Sequence, residues 1–212
     1  MNTSVTNDKQ FTDPRQLIQG LGTGMFLMGF FAGYWAFSGG SYLSGAPQTT
    51  VFGIAALLTI GCFVAGIYVM RSARLFEPAT GPAADARGRR IGRWFSAVFG
   101  LEIVLIVLAA VLLGRTGNSQ YIVPVIALIV GLHFLPLAWL YRMSVYYITG
   151  AALSLLGLVG IVCLLLGITL GGPDLYNWSR VGALAAAVIL WLTLAYILAL
   201  ALRLIVQRRA RL

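Results

Sequence analysis

Six stretches of this sequence are apolar for long enough to cross the ~30 Å hydrocarbon core of a bilayer: residues 17–38, 50–70, 94–113, 120–140, 145–170 and 181–203. Backbone N–H and C=O groups have no water to bond in lipid, so each such run is predicted to be a helix. The predicted fold is all-α, a polytopic integral membrane bundle of six transmembrane helices. Composition agrees, since 59% of residues are hydrophobic and 10% charged, against about 45–50% and about 25% in soluble domains. A soluble enzyme, a disulfide-rich secreted domain and a disordered tail are excluded.

The chain carries 15 basic and 6 acidic residues, a formal net charge of +9. In a soluble protein that balance would point to nucleic acid. Here the charge is gathered by position, with Arg71, Arg74, Arg87, Arg89, Arg90 and Arg93 in one connection and Arg203, Arg208, Arg209 and Arg211 near the C-terminus. No aromatic-interleaved basic surface accompanies them, so no nucleic-acid partner is expected. With both termini inside, thirteen basic residues lie on the cytoplasmic side and two, Arg115 and Arg180, outside. That asymmetry obeys the positive-inside rule.

The expected organisation is a cytoplasmic N-terminal segment (1–16), a transmembrane domain (17–205) with a cytoplasmic linker (71–93), and a basic cytoplasmic tail (206–212). Residues 1–16 are polar and contain Asp8 and Asp13, which argues against a cleavable signal, although Ser44 and Ala46 mimic a cleavage site. The bilayer is the expected partner. The arginines at 87–93 could also hold anionic headgroups at about 1 kcal/mol each, or act only as a topology signal. Aromatic residues near the span ends read as interfacial belts, with Tyr34, Trp35, Tyr42, Tyr121, Tyr176 and Trp178 outside and Tyr68, Trp94, Trp139, Tyr141, Tyr146 and Tyr147 inside.

Gly20, Gly24, Gly29 and Gly33 in the first span, and Gly157 and Gly160 in the fifth, have the small-residue spacing that lets helices approach closely in lipid. They are expected to serve helix packing within the bundle or at a homo-oligomer contact; the other reading has them bare backbone toward a substrate path.

Ionisable residues inside a membrane are expensive and mark function by default. Glu102 and His133 stand near the middle of spans three and four. A short connection centred on Gly117 makes these spans antiparallel neighbours. Glu102 precedes Gly117 by 15 residues and His133 follows it by 16, so the two are level. Pro136 lacks an N–H and clashes one turn back, which predicts a kink and frees the Leu132 carbonyl beside His133. The patch is read either as a register-fixing hydrogen bond or as a site for a proton or polar ligand. Other polar candidates within spans are Thr23, Thr59, Ser154, Thr169 and Thr193, which can bond back to their own helices, and Trp191 and Tyr196 in span six.

No catalytic residue, metal or cofactor is expected. One His cannot supply paired haem ligands. A zinc site would need His133, Cys62, Cys163 and Glu102 to converge from four helices at unequal depths, and no nucleophile has a visible base and orienter.

The segments RRIGRWFSAVFGLE (89–102) and ALIVGLHFLPLAWLYRMSVYYITGA (127–151) resemble a family of small, uncharacterised bacterial multi-pass membrane proteins. The GLHFLPLA run is the distinctive part. The resemblance implies a bacterial inner-membrane location and attaches no activity.

Two functions remain open: a small carrier or channel-like protein with a Glu102/His133 polar site, and a non-catalytic membrane module that packs against or modulates a partner. An intramembrane enzyme acting on a lipid or quinone would need a constellation the sequence lacks, so the chain is expected not to be an enzyme. The predicted topology is testable by single cysteines. Labelling from outside intact cells should fail at Ala84→Cys and succeed at Ser119→Cys, and the reverse pattern would invert the orientation.

Overall fold

The computed structural model describes residues 14–77, 82–170 and 176–210, apart from the side chains of 82–85 and 87. Six α-helices follow one another: α1 (Pro14–Gly40), α2 (Ala46–Ser72), α3 (Pro82–Arg115), α4 (Ile122–Tyr141), α5 (Ser144–Leu165) and α6 (Asn177–Arg209). Short 3-10 turns lie at Ala73–Leu75 and Ser119–Tyr121. Each helix is long and apolar enough to cross a membrane, so the chain is a helical membrane bundle. Hereafter the near end is the one where α1 begins and α6 finishes, and the far end is opposite.

Several helix boundaries differ from those the apolar runs suggest. The 71–93 connection is largely helical, because α2 continues to Ser72 and α3 starts at Pro82. Ala and Arg are good helix formers, and Pro suits a helix start, so PAADARGRR extends α3 beyond its apolar part. Residues 206–209 of the expected basic tail are also helical. Arg208 donates from Nε to the Leu75 carbonyl at 3.0 Å, tying the end of α6 to the α2–α3 connection. Span five stops at Leu165 instead of running to residue 170; Gly167 takes a left-handed backbone with φ 67°, which glycine adopts without steric cost. Of the expected N-terminal segment, residues 1–13 lie outside the described residues, as do residues 78–81 of the connection, the Arg87 side chain and residues 211–212 of the tail.

Two tight helix pairs, α1 with α2 and α4 with α5, are joined through α6, which lies along α1 and also meets α5 and α4. Small residues make these approaches close. A Cβ at Gly29 would lie 2.8 Å from Cys62 Cβ, and Gly33 abuts Thr59. On the α4–α5 side a Cβ at Gly157 would come 2.5 Å from the Pro124 carbonyl oxygen, one at Gly160 3.1 Å from Pro124 Cβ, and one at Gly150 2.8 Å from the Gly131 carbonyl oxygen. Ile18, Met25 and Ala32 of α1 and Ala186, Ile197 and Ala201 of α6 are buried in the common core, and these two helices lie against each other. A Thr149–Thr193 hydroxyl pair at 2.7 Å links α5 to α6.

Helix α3 is the exception, since it runs beside α4 and its own Gly92, Gly100 and Gly114 have open space where a side chain would stand. Helix α6 is therefore central and α3 peripheral.

These contacts order three alanine substitutions. Gly157→Ala pushes a methyl into α4 backbone and is expected to cost about 1–3 kcal/mol. Gly29→Ala, which meets a side chain, should cost less. Gly24→Ala should be near neutral, because its Cβ would lie 3.7 Å from the Tyr146 hydroxyl, an ordinary contact distance. Thermal unfolding of all three in one detergent checks the order.

Candidate functional site

Around its middle, α3 inverts the pattern of a water-soluble helix. Leu101, Ile103, Val104 and Leu105 are exposed where lipid would lie, while Glu102 between them is 4% exposed. Glu102 is the one residue of α3 that is buried among those described. Its Oε1 lies 3.1 Å from His133 Nδ1 on α4. The same Nδ1 lies 2.6 Å from the Val130 carbonyl oxygen. A carbonyl can only accept, so Nδ1 carries the hydrogen and donates it to Val130 while facing the carboxylate. In a neutral ring Nε2 is then the bare acceptor. Glu102 Oε2 is buried and has no hydrogen-bond partner.

Pro136 lies inside α4, which continues through it as helix. The carbonyl that engages His133 is that of Val130, three residues back, instead of the freed Leu132 carbonyl the sequence suggested. A side-chain bond to the preceding turn of its own helix holds the ring in place.

A cavity of about 400 Å³ reaches this pair from the near end, between α1, α3 and α4. Gln16 and Gln19 stand at its outer part, and Phe31, Glu102 and His133 at its inner limit. From Gln16 to Phe31 is fifteen residues of α1, about 22 Å of helix. Gly20 and Gly24 line this cavity and do not pack against a helix backbone. Among the α1 glycines that share the α2 contact with Gly29 and Gly33 is Gly22, where a Cβ would lie 3.2 Å from the Gly66 carbonyl oxygen and collide with Met70. The four-residue spacing that picked out Gly20 and Gly24 passed over it.

A series of ring contacts runs around the cavity wall. Phe31 of α1 meets Phe99 of α3 edge-on at 6.1 Å. Phe99 stacks on Phe95 at 5.8 Å, Phe95 meets Tyr141 at 6.5 Å, and Tyr141 meets Tyr146 at 6.2 Å. Tyr146 reaches Phe134 at 5.7 Å, which lies 4.5 Å from the His133 ring. Tyr141 and Tyr146 therefore line the cavity instead of forming an interfacial belt, and Trp35 is likewise buried. The sequence did offer one signal, since Phe95, Phe99 and Glu102 follow at four and three residues and share a helix face.

The other polar candidates stand apart. The Thr59 and Ser154 hydroxyls and the Trp191 indole nitrogen are buried without partners at other positions in the bundle. Thr193 bonds back to Ile189, and Thr23 lines the cavity. Tyr196 is exposed on the lipid-facing surface. Among the described residues no three His, Cys, Asp or Glu side chains gather as metal ligands would, and both cysteines are free.

Residues 94–198 match a protein family of unknown function, DUF7010. The match runs from the apolar part of α3 into α6 and includes Glu102 and His133. No curated protein and no solved structure matches the chain significantly.

The geometry predicts unequal partners. His133→Leu leaves the Glu102 carboxylate buried with neither oxygen partnered and is expected to cost about 1–3 kcal/mol. Glu102→Leu should cost less, because His133 keeps Val130. The double variant should recover part of the His133→Leu loss, with a coupling above about 0.5 kcal/mol. Unfolding of the set in one detergent measures this, and additive losses would mean the two side chains act independently.

Proposed function

We propose that the protein is a small carrier-type membrane protein in which the near-end cavity admits a solute to a polar site at Glu102 and His133. The observation that carries the reading is the cavity itself. It extends to mid-depth and stops at the buried Glu102 and the partly buried His133. Its volume falls within the roughly 300–1,000 Å³ of small-molecule sites. A module serving only to pack against a partner needs no such space.

The chain is read as a bacterial inner-membrane protein with both termini cytoplasmic, on the distribution of its arginines and on the resemblance of residues 89–102 and 127–151. The cavity then opens toward the cytoplasm. Arg89, Arg90 and Arg93 are exposed on the near-end turns of α3, where they can hold anionic headgroups at about 1 kcal/mol each. The role is non-catalytic, in that the solute is bound and passed on unchanged.

Accessibility of single cysteines tests this in a variant whose Cys62 and Cys163 are replaced by Ala. A membrane-impermeant thiol reagent should modify Gly24→Cys from the cytoplasmic side and leave the lipid-facing Leu57→Cys unreacted. A carrier also opens to the other side, so Ala109→Cys, two turns beyond Glu102 on the same face, should react from outside. Silence at Gly24 would remove the solute site. Reaction at Gly24 with silence at Ala109 would reduce the protein to a one-sided binding module.

A further inference from the structure

We infer that the ligand of this cavity is a lipophilic organic cation, held by the Glu102 carboxylate and the surrounding rings. The inference rests on the solute-site reading above and specifies what the solute is. Among the described residues no Lys or Arg lines the cavity; its ionisable side chains are Glu102, His133, Tyr141 and Tyr146. An anion would therefore meet a carboxylate with no fixed positive charge to offset it. Glu102 has the opposite deficiency, because Oε2 is buried without a donor, and a buried carboxylate oxygen left unpaired is costly. A cation in the cavity supplies the missing partner.

The walls select the kind of cation. A hard metal ion needs about six to eight oxygen ligands; the cavity offers one carboxylate among phenyl and phenol rings, with the Thr23 hydroxyl and the amide oxygens of Gln16 and Gln19 spread toward the mouth. A small hydrated ion would lose its water without replacement. A cation whose charge is spread over apolar substituents loses little hydration and gains from ring faces, which attract positive charge through their quadrupole. The series from Tyr141 near the mouth to Phe134 beside His133 offers such faces along the whole depth.

The arginines of α3 do not oppose this. Arg93 is exposed and outside the lining. Glu102 lies nine residues deeper, about 13 Å along the helix and beyond the ~8 Å over which salt screens exposed charges.

The test uses the full-length protein in detergent and three probes: tetraphenylphosphonium, the smaller cation benzyltrimethylammonium, and tetraphenylborate, which has the shape of the first and the opposite charge. At least one cation should bind saturably and at least tenfold more tightly than tetraphenylborate. Glu102→Gln should weaken that cation tenfold or more. Tyr146→Leu should weaken it about three- to tenfold, as loss of one ring contact implies, and Tyr146→Phe should leave it nearly unchanged. Should Glu102→Gln fail to fold, protection of Gly24→Cys from the thiol reagent by the cation, with none by tetraphenylborate, reads the same preference in an otherwise intact site. Failure of both cations, equal binding of cation and tetraphenylborate, or cation binding indifferent to Glu102→Gln would overturn the inference. With Gly24→Cys reactive, each of these results leaves the solute site standing with another ligand; with Gly24→Cys silent, the site reading itself has failed.

Discussion

Lipid tails and a protein interior are equally apolar, so burying leucine between two transmembrane helices gains little, and close backbone approach has to hold them together. In this bundle that approach is made at glycines. Gly22, Gly29 and Gly33 seat α1 on α2, and Gly131, Gly150, Gly157 and Gly160 seat α4 and α5 on each other. The two pairs, with α6 between them, form the closely packed part of the molecule. Helix α3 has no glycine in such a contact. It is attached to α4 midway by Glu102 facing His133 and toward the near end by Phe95 against Tyr141, while Phe99 reaches Phe31 of α1.

The cavity is a consequence of that difference. A helix drawn onto α1 by small residues would close the gap; α3, held by long side chains, leaves it open. Helix α1 shows both behaviours on two faces. Gly22 and Gly29 meet α2, whereas Gly20 and Gly24, on the other face, bare the backbone to the cavity. A larger side chain at Gly24 would project toward Tyr146 and fill space the cavity now occupies.

What could be read from the sequence follows from which quantities depend on helix rotation. Span number and alternating direction come from length and hydropathy, which need no rotational phase. The level of Glu102 with His133 comes from counting either side of Gly117, and so needs none either. Whether the two side chains face each other does need it, and the membrane-spanning part of α3 is apolar all round apart from Glu102, so its hydropathy carries no phase. The same gap explains Tyr141 and Tyr146, since a ring near a helix end can turn to the interface or inward and the sequence does not say which. Helix ends depart from the ends of the apolar runs where apolar character and helix propensity part company. The first residues of α3 are charged yet helical, and the last residues of span five are apolar yet end the helix at Leu165.

The two oxygens of Glu102 stand in different circumstances, and the difference bears on how a ligand would couple to the fold. Oε1 faces His133, and that contact holds the middle of α3 to α4. Oε2 is the unpartnered oxygen. A ligand that took Oε1 would compete with His133 and loosen α3. One that takes Oε2 leaves the contact in place and gives that oxygen the partner it lacks. Binding and the seating of α3 then favour each other, and by linkage whatever seats α3 more firmly must tighten binding by the same factor. The near-end turns of α3, with Arg89, Arg90 and Arg93 exposed outside the cavity, are where such a firmer seating could be imposed.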